Sequence, residues 1–280
     1  MSITEEKQAL ATASKNGLEA AIAGLLTKYS VKPKSEWQLA PNGPGDGPTN
    51  CPDASDDTLT LVPGNFCLDA PLDAQSLPLL PWRSERRFIE LKQIVDTRTV
   101  EPLLMCRFAC LTDGESMSLG NILYREFDLA EWLCGSPIER LYATVADERS
   151  ANVVARLANG IVCSIEAATT LPQGTTMQDR HELIARRGIA SDRVVDTQIA
   201  QDSIYAFTDS KVSRYTDVDG ELFGLDAQEA SLIRSAFEAL SQPPDLSDTH
   251  QSHQHLQDLI SLTWESDRLG ERLSVEGVSA

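Results

Sequence analysis

Two rhythms of apolar positions run along the chain. Between residues 118 and 135, Leu119, Leu123, Phe127, Ala130 and Cys134 recur every three or four residues, which puts them on one face of a helix. Asn121, Arg125 and Asp128 keep the same spacing and form a polar strip on the other side. Gly135 suits the position just past a helix end, and Pro137 cannot continue the helix. The ordinary reading is a packing helix with an Arg125–Asp128 pair on its surface. The same rhythm predicts helices over residues 4–30, 84–97, 226–240 and 255–273. The second rhythm has period two and predicts strands over 138–146, 150–157, 160–169, 180–186, 191–195, 203–208 and 211–215, besides earlier strands at 58–62 and 102–110. Asn159-Gly160 is a strong hairpin signal, and Arg187-Gly188 is a weaker turn. Strands in succession after a helix pair predict an α+β fold: a mostly antiparallel open sheet with helices on one face.

The patterning lapses between residues 40 and 57, where Pro, Gly, Asn and Asp dominate and predict a long loop. Gly43, Gly45 and Gly47 lie there, but Pro44 and Pro48 remove amide donors and no helix pattern follows, so the run does not read as a phosphate cradle.

Composition narrows the classes of partner. The chain has 280 residues, 41% of them apolar and 24% charged, as expected of a globular protein of one or two domains. A formal charge of −18 and a pI near 4.6 argue against nucleic acid and anionic membranes as partners. Residues 1–7 lack the basic and apolar regions of a secretory leader, and no apolar run is long enough to span a membrane. The cysteines, at 51, 67, 106, 110, 134 and 163, form neither a CxxC pair nor a zinc pattern, and Cys106 and Cys110 read as buried free thiols. A cytoplasmic setting is the expectation.

The 118–137 stretch resembles the helix that opens the C-terminal domain of the Gfo/Idh/MocA (glucose–fructose oxidoreductase and inositol dehydrogenase) family. Asp128-Leu129, Trp132-Leu133, Gly135 and Pro137 match the family's pattern in register. A shorter match begins at Gly64. There Asp69, Pro71 and Leu72 follow the strand and turn that close the family's cofactor domain. The resemblance covers roughly residues 64–270. It implies a Rossmann-like remnant over 1–80 and a C-terminal α+β domain over 81–280, whose open sheet face packs on another subunit as a homodimer or hetero-oligomer.

Three positions that the resemblance makes catalytic have changed together. The lysine position is Ala70, the aspartate position is Asn121 and the histidine position is Arg125. A general base for hydride transfer must take a hydroxyl proton near the working pH. Histidine can; arginine stays protonated, and asparagine does not titrate. No Gly-x-Gly-x-x-Gly follows a first strand. The expectation is therefore a non-catalytic, degenerate member acting as a binding or partner subunit, with no cofactor. The alternative is an NAD(P)-dependent sugar or polyol oxidoreductase with a rearranged site, or with a cofactor domain supplied by a partner chain.

Asn121, Arg125 and His181 are the ligand-binding candidates, with no metal. A guanidinium at 125 would suit an anionic sugar-like ligand, unless Asp128 or Glu126 neutralises it. His181 reads ordinarily as a strand-edge residue. Arg180 and Arg193 suit solvated pairing better than sugar hydroxyls. Asp217, Asp219 and Glu221 lack the further ligands of a calcium loop. The spacing of His250, His253 and His255 does not put all three on one helix face.

Overall fold

A computed structural model describes residues 17–40, 58–64, 68, 72–115, 117–192, 203–207, 212–216 and 227–275; for 203–207, 212–216 and Ala227 only the backbone is described. The elements are, in order, α1 (17–28), β1 (Trp37–Leu39), β2 (Leu59–Pro63), β3 (Ser76–Leu79), a 3-10 turn (Pro81–Ser84), α2 (Arg86–Asp96), β4 (Leu103–Leu111) and α3 (Leu119–Cys134). Then follow β5 (Ile138–Ala146), β6 (Ser150–Leu157), β7 (Val162–Ala168), β8 (Gln178–Ala185), β9 (Gly188–Ser191), β10 (Ser203–Phe207), β11 (Val212–Thr216), α4 (Ala227–Ser241), α5 (Leu246–Leu269) and β12 (Leu273–Ser274).

The chain divides into two compact units, one of Met1–Ser84 with Asp219–His255 and one of Glu85–Val218 with Leu256–Ala280. A single cut after residue 80 differs from this division chiefly in the return of 219–255 to the N-terminal part.

In the first unit β1, β2 and β3 form a parallel sheet in that order. Leu39, Leu59, Leu61, Leu77 and Leu79 share a buried cluster with Leu18, Ile22 and Leu26 of α1 and Leu232, Ile233, Ala236 and Leu240 of α4. Both outer edges of this sheet are met by side chains. On β1 the Leu39 N–H donates to Glu19 Oε1 at 2.8 Å. On β3 the Ser76 carbonyl lies 2.7 Å from His250 Nε2. Each contact occupies a backbone group that an edge strand would otherwise leave open. Gly64, just past β2, is held by close approach: a Cβ there would lie 2.5 Å from the Leu79 carbonyl oxygen.

In the second unit, among the described residues, nine strands form one sheet in the order β11-β10-β9-β8-β4-β7-β6-β5-β12. Every neighbouring pair is antiparallel except β4 with β7. Alternation sets the facing. On β6, Ala151, Val153, Ala155 and Leu157 are buried while Asn152, Val154 and Arg156 are exposed. The buried side of β4 is Cys106, Phe108 and Cys110, against which α3 packs. The fold class is thus the expected α+β, a mostly antiparallel sheet with helices.

Helix α3 begins at Ser118, whose Oγ accepts the Asn121 N–H at 3.2 Å, and ends at Gly135 with φ +62°. The expected polar strip is not a solvent face. Arg125, Glu126 and Asp128 are at most 3% exposed, so the Arg125–Asp128 surface pair is corrected: both residues are interior.

Candidate functional site

The inward side of the second unit carries a polar cluster built from four elements. β8 alternates, so Asp179 and His181 both point to the helix side, with Arg180 between them on the other. Helix α3 supplies Arg125 and Glu126, α2 supplies Arg87, and Asp192 follows β9.

The geometry joins these into one network. Arg125 Nη1 donates to Glu126 Oε1 at 2.6 Å and Nη2 to Asp179 Oδ2 at 2.6 Å. Arg87 grips the same Asp179 through both terminal nitrogens at 2.7 Å, reaches Asp192 at 3.2 Å and holds Glu85 through Nε at 2.8 Å. His181 lies between Asp192 Oδ2, 2.7 Å from Nδ1, and Glu126 Oε2, 2.9 Å from Nε2, and its backbone N–H donates to Asp192 Oδ1 at 2.7 Å. Aromatic rings wall the cluster. Phe88 and Phe108 meet the imidazole edge-on at 4.7 and 4.9 Å, and both guanidiniums lie over the Phe88 ring, at 4.5 Å for Arg87 and 5.4 Å for Arg125.

Charge balance decides the protonation of His181. A neutral imidazole has one donor and one acceptor nitrogen, yet each nitrogen here faces a carboxylate. Only the imidazolium satisfies both. Burial opposes that charge, but Glu126 and Asp192 outweigh it and raise the imidazole to about 9. Two buried cations, Arg125 and His181, and the half-buried Arg87 then face the three buried carboxylates of Glu126, Asp179 and Asp192. Burial would likewise raise the Asp179 carboxyl, but the Arg87 and Arg125 guanidiniums hold it well below the usual carboxylate range. Arg125 itself is raised: Glu126 and Asp179 overcome the burial that disfavours its charge.

Such a network holds protons rather than moving them. At neutral pH Arg125 and His181 have no lone pair to accept a proton, and every donor named is aimed at a carboxylate. Asp179, His181 and Asp192 do present ligand atoms within 4.8 Å of one another. A cation there would have to displace the His181 proton and take Asp179 from two guanidiniums, so the donor set does not suit a metal.

The candidates read from the sequence separate here. Arg125 and His181 come together within one network. Asn121 sits a turn earlier on α3, half-buried, and its backbone N–H serves the helix cap. Ala70, Arg193, Asp217, Asp219, Glu221 and the Gly43–Gly47 run lie outside the described residues. Arg125 is 2% exposed, and Glu126 and Asp179 are the carboxylates that hold its guanidinium. His181 is no strand-edge residue: β8 lies inside the sheet and the side chain is fully buried. Arg180 Nε is shielded and makes no hydrogen bond among the described residues; it lies 4.0 Å from Glu182. His250 bonds the Ser76 carbonyl, and His253 is buried within α5. Arg87, Asp179 and Asp192 escaped the sequence reading, although the charged Asp-x-His alternation on β8 was a signal that a strand pointed polar groups inward.

No protein-family model matches the sequence, and no curated protein matches it. Solved structures do. Levoglucosan dehydrogenase in complex with NADH and L-sorbose aligns with TM-score 0.60 and 14% identity, over 79% of this chain and 74% of its own. An oxidoreductase from Agrobacterium radiobacter in complex with NAD+, L-tartaric acid and magnesium aligns with TM-score 0.58 and 12% identity, over 78% and 73%. An inositol dehydrogenase homolog from Azotobacter vinelandii complexed with NADH and myo-inositol gives TM-score 0.57 and 10% identity, over 78% and 72%. Among the described residues no helix is long and apolar enough to cross a membrane. The structural neighbours are oxidoreductases of the Gfo/Idh/MocA type, and their fold is the fold of this chain.

Proposed function

We propose that the chain is a non-catalytic subunit with an oxidoreductase fold, one that binds or pairs rather than turns over a sugar. The observation that carries this reading is Arg125. By resemblance it stands at the catalytic histidine position, and its guanidinium is buried and held by Glu126 and Asp179 at 2.6 Å. A permanently protonated, doubly paired group cannot serve as the base of a hydride transfer. The changes at Asn121 and Ala70 point the same way. Pairing would use the sheet face opposite the helices, as a homodimer or hetero-oligomer. Tyr142 and Val154 stand there in register on β5 and β6, 41% and 45% exposed.

The second reading is an NAD(P)-dependent sugar or polyol oxidoreductase whose site is rearranged or whose cofactor domain comes from a partner chain. Its support is the NAD+ and NADH bound in the structural neighbours. The residues of this chain do not make the case for a dinucleotide, since the Gly43–Gly47 run carries prolines and lacks the fingerprint. Titration of the purified chain with NADH and with NADPH, followed by nucleotide fluorescence, separates the two. The proposal expects no saturable signal and no turnover of inositol or sugars, whereas micromolar binding would overturn it. Sedimentation tests the pairing, which fails if the species is a clean monomer of 30.6 kDa.

A further inference from the structure

Beneath the C-terminal end of α3 lies a cluster of thiols, Cys106, Cys134 and Cys163, that the network does not use; a fourth, Cys110, accepts from Arg125 Nη1 at 3.7 Å. Among the described residues Cys106, Cys110, Cys134 and Cys163 are free and buried. Cys106 on β4 and Cys163 on β7 are register partners in the parallel pair. Cys134, the last residue of α3, points at the same place, and its Sγ lies 3.1 Å from that of Cys106. Cys134 is the more accessible of the two, 9% exposed against 0% for Cys106, and the neighbouring Gly135 ends the helix there.

We propose that Cys106 and Cys134 are a redox-closing dithiol, joined into a disulfide by hydrogen peroxide. Cys134 reacts first, because it lies at the helix end. Its sulfur, as thiolate, attacks one peroxide oxygen, the O–O bond breaks, and Cys134 becomes a sulfenic acid while hydroxide leaves and takes up the thiol proton as water. Cys106 sulfur then attacks the Cys134 sulfur, the S–O bond breaks, and the second water leaves with the Cys106 proton. Two thiols are oxidised by two electrons, and one peroxide is reduced to two waters. The link would bolt the end of α3 to the central strand β4, across 28 residues of chain.

The reaction is slow at neutral pH, for a physical reason. The hydrogen bond to Cys106 and burial push the Cys134 thiol up. For Cys106, the bond to Cys134 favours the thiolate, but the bond to Cys163 and burial outweigh it. Both groups are therefore held as thiols, and closure waits on a transient opening of the helix end. The pair thus suits sustained oxidant exposure and not rapid signalling.

The test treats the full-length native chain with hydrogen peroxide, quenches with a thiol-alkylating reagent and maps peptides without reduction. The expected result is a Cys106–Cys134 cross-linked peptide, lost on reduction, with a higher Tm for the oxidised chain. Cys163→Ala should keep the cross-link, and Cys134→Ala should abolish it. The wild-type map alone decides if either variant fails to fold. A cross-link from Cys106 to Cys163, oxidation of Cys134 that stops at the sulfinic acid, or a native chain that stays unoxidised while the urea-unfolded chain reacts would each overturn the proposal.

Discussion

Alkali should weaken this protein through one buried ring. His181 is raised from its ordinary 6.5 to about 9 by Glu126 and Asp192 against the opposing effect of burial. Below pH 6.5 both the folded and the unfolded chain bind the proton, so the contribution to stability is complete and flat. Between 6.5 and 9 only the folded chain keeps it. Unfolding then releases one proton, and stability falls by about 1.4 kcal/mol per pH unit. Above 9 neither state holds it, and the contribution is gone. The whole loss is about 3 kcal/mol, an order-of-magnitude figure but a large share of the stability typical of a domain. Urea unfolding followed by tryptophan fluorescence at half-unit steps from pH 6 to 10 measures it. His181→Gln removes the titrating group, so the difference between the two profiles isolates the ring from lysines, tyrosines and thiols that titrate at higher pH. Burial screens the effect little, so added salt should leave the difference in place. Parallel profiles for wild type and variant, or a neutral imidazole by nitrogen NMR at pH 7, would refute the double-donor assignment.

Arg125→Ala should cost about 3–5 kcal/mol in the same assay, because it strands Glu126 and Asp179 with one cationic partner fewer in the interior. On the acid side, Asp179 is held below its ordinary range by Arg87 and Arg125, so its contribution is present above pH 3.8 and drains as pH falls further. Asp179→Asn should flatten that limb of the profile. Ser118→Ala removes the cap of α3 and should cost about 1 kcal/mol, read as a lower urea midpoint. Gly135→Ala should cost about 1 kcal/mol through its left-handed backbone alone, since a Cβ there meets nothing within 4 Å.

What the sequence disclosed follows from how local each signal is. The β5–β6–β7 meander was legible because Ala151, Val153, Ala155 and Leu157 alternate cleanly and Asn159-Gly160 marks the turn, where Gly160 has φ +89°. β1 and β3 were not, since one has three residues and the other contains Pro78, which argues against a strand. Helix α5 was read as starting at His255. It starts at Leu246, where Asp245, straight after Pro243-Pro244, accepts the Ser247 N–H at 2.8 Å. The parallel meeting of β4 with β7 is a tertiary choice that no window of residues contains. The site was half visible. Arg125 and His181 stood out singly; helix spacing suggested a surface pair of Arg125 with Asp128, and Glu126 stayed an open alternative because neighbouring residues do not ordinarily face each other. Asp179, 54 residues from Arg125, could be assigned only once the sheet was closed.

The position of β4 has a consequence for how the chain is made. It leaves the ribosome before both its sheet neighbours, and Glu182 on β8 follows its partner Arg107 by 75 residues. At about 5–20 residues per second the strand waits roughly 4–15 s for that neighbour. Helix α3 waits with it, carrying Arg125 and Glu126, which cannot enter a dry interior until Asp179 and His181 arrive. The emergence of β8 therefore sets the clock. Until then one edge of β4 stays open and Arg125 and Glu126 lack Asp179 and His181, and the arrival of one strand supplies both.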